Sequence, residues 1–242
     1  MMQIIPVIDL LNGVVVHAKK GERQHYQPIQ SLLTSSSKPL DIVAALLETY
    51  PFTQLYIADL NAIQKTAGAY KSNYNVVEAV TKYYPSLTLW VDAGISNIHE
   101  LSAWGKLNVR LVLGSENFAN IDNYCSLKHY EKNFVLSLDF MPHGYQGPTE
   151  LLTNDAHWPQ DVIVMSLANV GASQGANIPL LGEILNRKKD FDIYAAGGIR
   201  DVNDLILLKQ IGLDGVLIAT ALHQKQITTK ALENLAQQIK PD

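Results

Sequence analysis

Short apolar runs and amphipathic stretches alternate from one end of the chain to the other. Gln3–Asp9 reads as a buried strand, and Gly13 turns the chain into a short second strand at Val14–Ala18. Gly21–Ser37 is polar, with Pro28 and a serine cluster, and is long for a loop. Loops of that length in compact domains are usually functional or mobile. Pro39-Leu40-Asp41 opens a helix that carries Ile42, Val43, Leu46 and Leu47 on one face. Beyond it, strands are predicted at Gln54–Asp59, Leu87–Asp92, Val109–Leu113, Phe134–Asp139, Val162–Ser166, Asp192–Ala196 and Gly215–Ala219. Helices are predicted at Ser72–Tyr83, Ile98–Trp104, Phe118–His129, near Ile178–Arg187, at Val202–Ile211 and at Thr228–Ile239. Met141–Pro159, with three prolines, reads as irregular.

The strands are apolar throughout rather than alternating, as expected when helices cover both faces of a parallel sheet. Eight strand–helix units in strict alternation predict an α/β fold, a closed (βα)8 TIM barrel. The competitor is a doubly wound open sheet, which usually places Gly-x-Gly-x-x-Gly after its first strand. Here the first strand runs out into Asp9 instead.

An internal echo favours the barrel. Val91–Leu101 falls on Ala195–Leu205 about 104 residues later, and Arg110–Ser115 on Gly215–Thr220. Ala58–Gly68 falls on Met165–Gly175, and Val7–Asp9 on Ser137–Asp139. Four short matches in order, strand end on strand end, predict two fused half-barrels, about 1–130 and 131–242, within one domain spanning 1–242.

Composition narrows the function classes. The 242 residues are 47% apolar, enough for one large core. Net charge is −4 with no basic block, so no nucleic-acid or membrane-surface partner is expected. No apolar run is long enough to cross a bilayer, the N-terminus lacks the pattern of a signal peptide, and Cys125 is the only cysteine. A soluble cytoplasmic protein is the expectation. The oligomeric state is not legible.

In a parallel barrel, ligands bind at the C-terminal ends of the strands. Asp9 and Asp139 end the first and fifth strands and would face each other across the mouth. Two carboxylates on opposite sides of one substrate can act as general base and general acid once their pKa values are pushed apart. Either could instead cap the turn that follows it. Gly94 with Ser96, completed by Gly114 and Ser115, forms one candidate phosphate cradle. Gly197, Gly198 and Arg200 form the other, with Ser166, Gly175 and Thr220 nearby. Bare backbone N–H groups suit an anion, although glycine also serves close helix–strand packing. Two copies in register predict a substrate with phosphates at both ends. His17, Lys19, Arg23 and Asp59 are candidate substrate contacts, with the loop cations closing over an anion. Trp90 reads as core. No histidine pair has ligand spacing, so no metal site and no cofactor are predicted.

Ile5-Pro6-Val7-Ile8-Asp9-Leu10, Asn12-Gly13, Tyr56–Leu60, the two glycine turns and Asp139 resemble the HisA/HisF family over essentially the whole chain. The resemblance is nearer to HisA, the phosphoribosyl aminoimidazole carboxamide isomerase of histidine biosynthesis. It implies a half-barrel-duplicated fold and an Amadori rearrangement of an aminoaldose to an aminoketose. It also implies Asp9 as general base and Asp139 as general acid. The chain departs from the family pattern at Val16-His17-Ala18, at Ser166–Gly175 and at Ala219-Thr220. By this resemblance the first phosphate site is intact and the second altered, with Arg200 supplying charge there. The loop after the first strand is similar to a divergent HisA-related branch. That alternative implies another phosphorylated metabolite, in the biosynthesis of a one-carbon carrier of the methanopterin or methanofuran type. A non-catalytic barrel that binds a phosphorylated ligand is the third reading.

Overall fold

The computed structural model describes residues 2–18, 22–67, 71–131, 133–170, 175–187 and 190–237. Eight parallel strands close into a barrel in the order β1 (Gln3–Leu11), β4 (Gln54–Asp59), β5 (Thr88–Asp92), β6 (Arg110–Gly114), β7 (Val135–Met141), β9 (Asp161–Ser166), β10 (Asp192–Ala196) and β11 (Gly215–Ile218). Parallel pairing of β11 with β1, Gln3 opposite Gly215, completes the ring. The fold is a (βα)8 TIM barrel.

Helices α1 (Pro39–Thr49), α3 (Tyr74–Tyr83), α4 (Ile98–Trp104), α5 (Ile121–Tyr130), α7 (Ile178–Leu185), α8 (Val202–Gln210) and α10 (Thr229–Gln237) follow the strands. Local chemistry sets several of their starts. Asn97, Asn120, Asn177 and Asp201 each accept a hydrogen bond from a first-turn N–H group, satisfying a donor that the helix leaves orphaned. Pro39 opens α1 where a missing N–H costs nothing. The outer face of each strand packs on the helices, with Ile57, Leu89, Val91, Leu113 and Leu136 in one large cluster. The inner faces form a second cluster that includes Tyr56, Ala58, Trp90, Val112, Tyr194 and Leu217.

The N-terminal end of the lumen is filled. Trp90 and Tyr194 meet edge to face at 4.9 Å, and the Arg110 guanidinium lies 5.2 Å from the Trp90 ring centre. Arg110 pairs with Asp161 at 2.7 Å, and the Tyr194 hydroxyl donates to Asp161 at 2.9 Å. Gly215 faces this plug; a Cβ there would fall 2.4 Å from the Tyr194 ring.

Three local features differ from the sequence expectation. Met141–Pro159 is not irregular: β8 (Gly144–Gln146) folds back on β7 as a hairpin, followed by α6 (Thr149–Thr153). Gly144 takes the positive φ (115°) that this reversal requires. Prolines lie outside both paired segments, so they do not break the hairpin. Short helices α2 (Leu60–Ile63) and α9 (Thr220–His223) follow β4 and β11, too short to show a helical period. The polar stretch after β2 (Val14–His17) carries a single 3-10 turn at Arg23–His25 and β3 (Gln27–Pro28), which pairs with β2. Lys19 and the last residues of the predicted C-terminal helix lie outside the described residues. No helix among the described residues is long and apolar enough to cross a membrane.

Candidate active site

A cavity of about 100 Å³ opens at the C-terminal mouth of the barrel. Asp9, Arg23, Tyr56, Asp92, Glu116 and Asp139 line one side, and Gly197, Gly198, Ile199, Ala219 and Thr220 line the other. Apolar side chains such as Leu60, Ile63, Met165 and Leu217 make up much of the remaining wall. An apolar pocket with a few convergent polar groups has the character of a small-molecule site.

The strand ends deliver the carboxylates, and burial sets their protonation. Asp139 is 4% exposed. Its Oδ1 accepts from the Ser137 hydroxyl at 2.6 Å, and its Oδ2 accepts from the Glu116 N–H at 3.1 Å and the Ser115 hydroxyl at 3.3 Å. Burial, reinforced by the Glu116 charge, pushes its carboxyl up to about 8 against the Ser137 bond. Burial raises Asp9 to about 7, with Arg23 pulling the other way. Burial raises Asp92 to about 6 against a 2.9 Å hydrogen bond from the Gly94 N–H. Arg23 reaches over this group and pairs with Glu116 at 2.5 Å. Perturbed titrating groups gathered in one cleft mark a functional site more often than a structural one.

The other candidates fall into two sets. Gly197, Gly198 and Thr220 line the cavity. Both glycines have positive φ (99° and 83°), and a Cβ on either would strike backbone, the Ser166 carbonyl or the Gly175 carbonyl. Ser166 and Gly175 therefore shape the turn from behind. His17 lies beside the cavity, its Nε2 3.3 Å from the Thr220 hydroxyl. The Arg200 guanidinium is turned away, held by Asp204 through Nε at 3.0 Å and Nη2 at 2.7 Å.

The first glycine turn does not line the cavity. A Cβ on Gly94 would fall 2.5 Å from Cα of Ile63 in α2. Its carbonyl accepts from Lys65 Nζ, which also pairs with Glu100 at 2.9 Å. The Ser96 N–H and hydroxyl both donate to Glu100. Gly114 stands where a side chain would meet Asp139 and Asn117. Ser115 is fully buried and donates to the Gln146 carbonyl of β8 at 2.6 Å. Asp59 is also fully buried. It caps α2 and accepts from the backbone and side-chain amides of Asn73, both at 2.6 Å. Asn73 and Asn61 in turn accept from the N–H groups of Gly13 and Asn12, which pins the β1–β2 turn.

Glu116, Tyr56 and His223 escaped the sequence reading. Glu116 lies two residues past a strand end, so a wider window on each strand end would have included it. Tyr56 is a mid-strand aromatic whose hydroxyl approaches Asp92 at 3.4 Å, and its sequence carries no sign of this. His223 is 2% exposed in α9 and lines a recess shared with Asp9, His17 and Thr220. Burial, with His17 adding to it, lowers its imidazole to about 4, so the ring is neutral.

Residues 3–228 match the family described as histidine biosynthesis protein. The chain belongs to that family. It is 30% identical to an uncharacterized protein of Methanocaldococcus jannaschii, over 96% of this chain and 98% of the relative. It is 26% identical to a phosphoribosyl imidazole-4-carboxamide isomerase of Flavobacterium johnsoniae and 25% identical to one of Bacteroides thetaiotaomicron, in each case over 96% of this chain and 98% of the relative. This histidine biosynthesis family member thus has isomerases among its full-length relatives.

Proposed function

We propose that the protein is a HisA-like isomerase that converts a phosphorylated aminoaldose to the aminoketose by an Amadori rearrangement. The observation that carries the reading is the placement of Asp9 and Asp139 in one cavity with carboxyls raised to about 7 and about 8. Near neutral pH, Asp139 then holds its proton while Asp9 is partly ionised, the division of labour that acid–base catalysis needs.

Asp139 gives its proton to the sugar ring oxygen as the C1–O bond breaks, and the nitrogen lone pair forms a C1=N iminium. Asp9 takes the C2 proton, and the electron pair moves in to form a C1=C2 enolamine. The C2 hydroxyl then passes its proton to Asp139 as C2=O forms, and C1 takes the proton held by Asp9. Both carboxyls end as they began. The Gly197–Gly198 turn and the Thr220 hydroxyl receive the phosphate, and the apolar wall keeps water from the enolamine.

Turnover of an N-aryl ribosylamine 5-phosphate, followed by absorbance, tests the proposal. Asp9→Asn and Asp139→Asn are each expected to lower kcat about 10²- to 10⁴-fold. A variant at either position that works like wild type would overturn the assignment. Wild-type protein that does not turn over this substrate would overturn the isomerase reading.

A further inference from the structure

The reading above sets a phosphate at the Gly197–Gly198 end of the cavity, and the following inference rests on it. The opposite end decides whether the substrate carries a second phosphate. Four donors at that end already have acceptors within the chain, while the buried Asn117 Nδ2 beside Gly114 has none among the described residues. The Gly94 N–H is given to Asp92, the Ser96 N–H to Glu100, the Ser115 hydroxyl to the Gln146 carbonyl and the Glu116 N–H to Asp139. Ile63 packs onto the Cα of Gly94, and neither Gly94 nor Ser96 lines the cavity. Glu116 places its own carboxylate in the cavity wall and engages Arg23, the cation that reaches this side. An incoming phosphate would have to displace Glu116 from Arg23 and would then face the negative charge of Glu116 itself, beside Asp92. Like charges in a partly desolvated site repel strongly, and one amide, Asn117 Nδ2, replaces little of the water that a phosphate gives up.

We infer that the cavity takes a substrate with one phosphate and an uncharged or cationic far end, and that Glu116 is the residue that excludes a second phosphate. The chain's own carboxylate fills the place that a second phosphate would take. Specificity of this kind is a difference of affinities created by a repulsive group.

Calorimetric titration with ribulose 5-phosphate and ribulose 1,5-bisphosphate, which differ only in the second phosphate, tests this. Wild-type protein is expected to bind the bisphosphate no more tightly than the monophosphate. Glu116→Gln is expected to move the affinity ratio at least tenfold toward the bisphosphate. A wild-type preference of tenfold or more for the bisphosphate overturns the inference, even if Glu116→Gln fails to fold. An unchanged ratio in a folded Glu116→Gln protein also overturns it, as does a wild-type protein that binds neither sugar at millimolar concentration. These titrations need no turnover. A failed isomerase assay with an intact binding ratio sinks only the catalytic reading, and the reverse result sinks only this one.

Discussion

The turns at Gly94 and at Gly197–Gly198 share a sequence grammar and have opposite fates. Each follows a barrel strand and leads into a helix capped by Asn97 or Asp201. In each, a carboxylate four residues on, Glu100 or Asp204, accepts a backbone N–H at 2.8 Å, from Ser96 or Arg200. What differs is the other side of the turn. Backbone presses on all three glycines, from Ile63 on Gly94 and from Ser166 and Gly175 on Gly197 and Gly198, but only Gly197 and Gly198 also line the cavity. A glycine turn is thus a permission for close approach, and the surrounding residues decide whether protein or ligand uses it.

The largest expected effect tests this directly. Gly198→Ala forces a Cβ into a φ of 83° and to 2.1 Å from the Gly175 carbonyl. It should cost about 2–4 kcal/mol in urea denaturation and remove the thermal shift given by ribose 5-phosphate. Gly94→Ala, at φ 59° and 2.5 Å from the Ile63 backbone, should cost about as much yet keep that shift in the folded fraction. Loss of the shift in the Gly94 variant alone would reverse the comparison.

The acidic side of the cavity should show itself in stability against pH. A carboxyl raised from 3.8 to about 8 binds its proton more tightly in the folded state. Folding therefore takes up a proton between those values, and stability is full below pH 4 and lost as pH rises through 8. Asp139→Asn should flatten the fall in unfolding free energy from urea denaturation between pH 5 and 8, by at most about 1.4 kcal/mol per pH unit. Parallel curves for variant and wild type would place the dependence elsewhere.

Next in size, Thr220→Val should weaken ribose 5-phosphate binding about tenfold, the loss of one hydrogen bond to an anion. Ser96→Ala should leave it unchanged. The opposite pattern in titration would move the phosphate to the first turn. Smallest of all, Lys65→Met should change stability by less than about 1 kcal/mol, because Lys65 is 47% exposed and solvent screens its pair with Glu100.

The barrel was legible because burial on both faces writes itself into each strand as an unbroken apolar run. Gln54–Asp59, Asp192–Ala196 and Ile98–Trp104 have the predicted ends. Hairpin β7–β8 was not legible, since its second strand is three residues long, begins with Gly144 and is followed by Gly147. At the mouth, strand-end logic located Asp9, Asp139, Gly197, Gly198 and Thr220, which line the cavity. It could not tell an open turn from a filled one, because Ile63, Lys65 and Gln146 reach Gly94 and Ser115 from distant elements. Nor could it separate Asp59 from Asp9: both end strands, but Asp59 is consumed by Asn73 and α2.

The plug of Trp90, Tyr194, Arg110 and Asp161 makes the barrel a blind cup. Nothing can arrive from below, and nothing can leave that way, so under the proposed isomerase reading substrate and product share one doorway. Each turnover must empty the cup before the next begins. Accumulated product should then act as a simple competitor, and its departure sets a ceiling on the rate however fast the protons move.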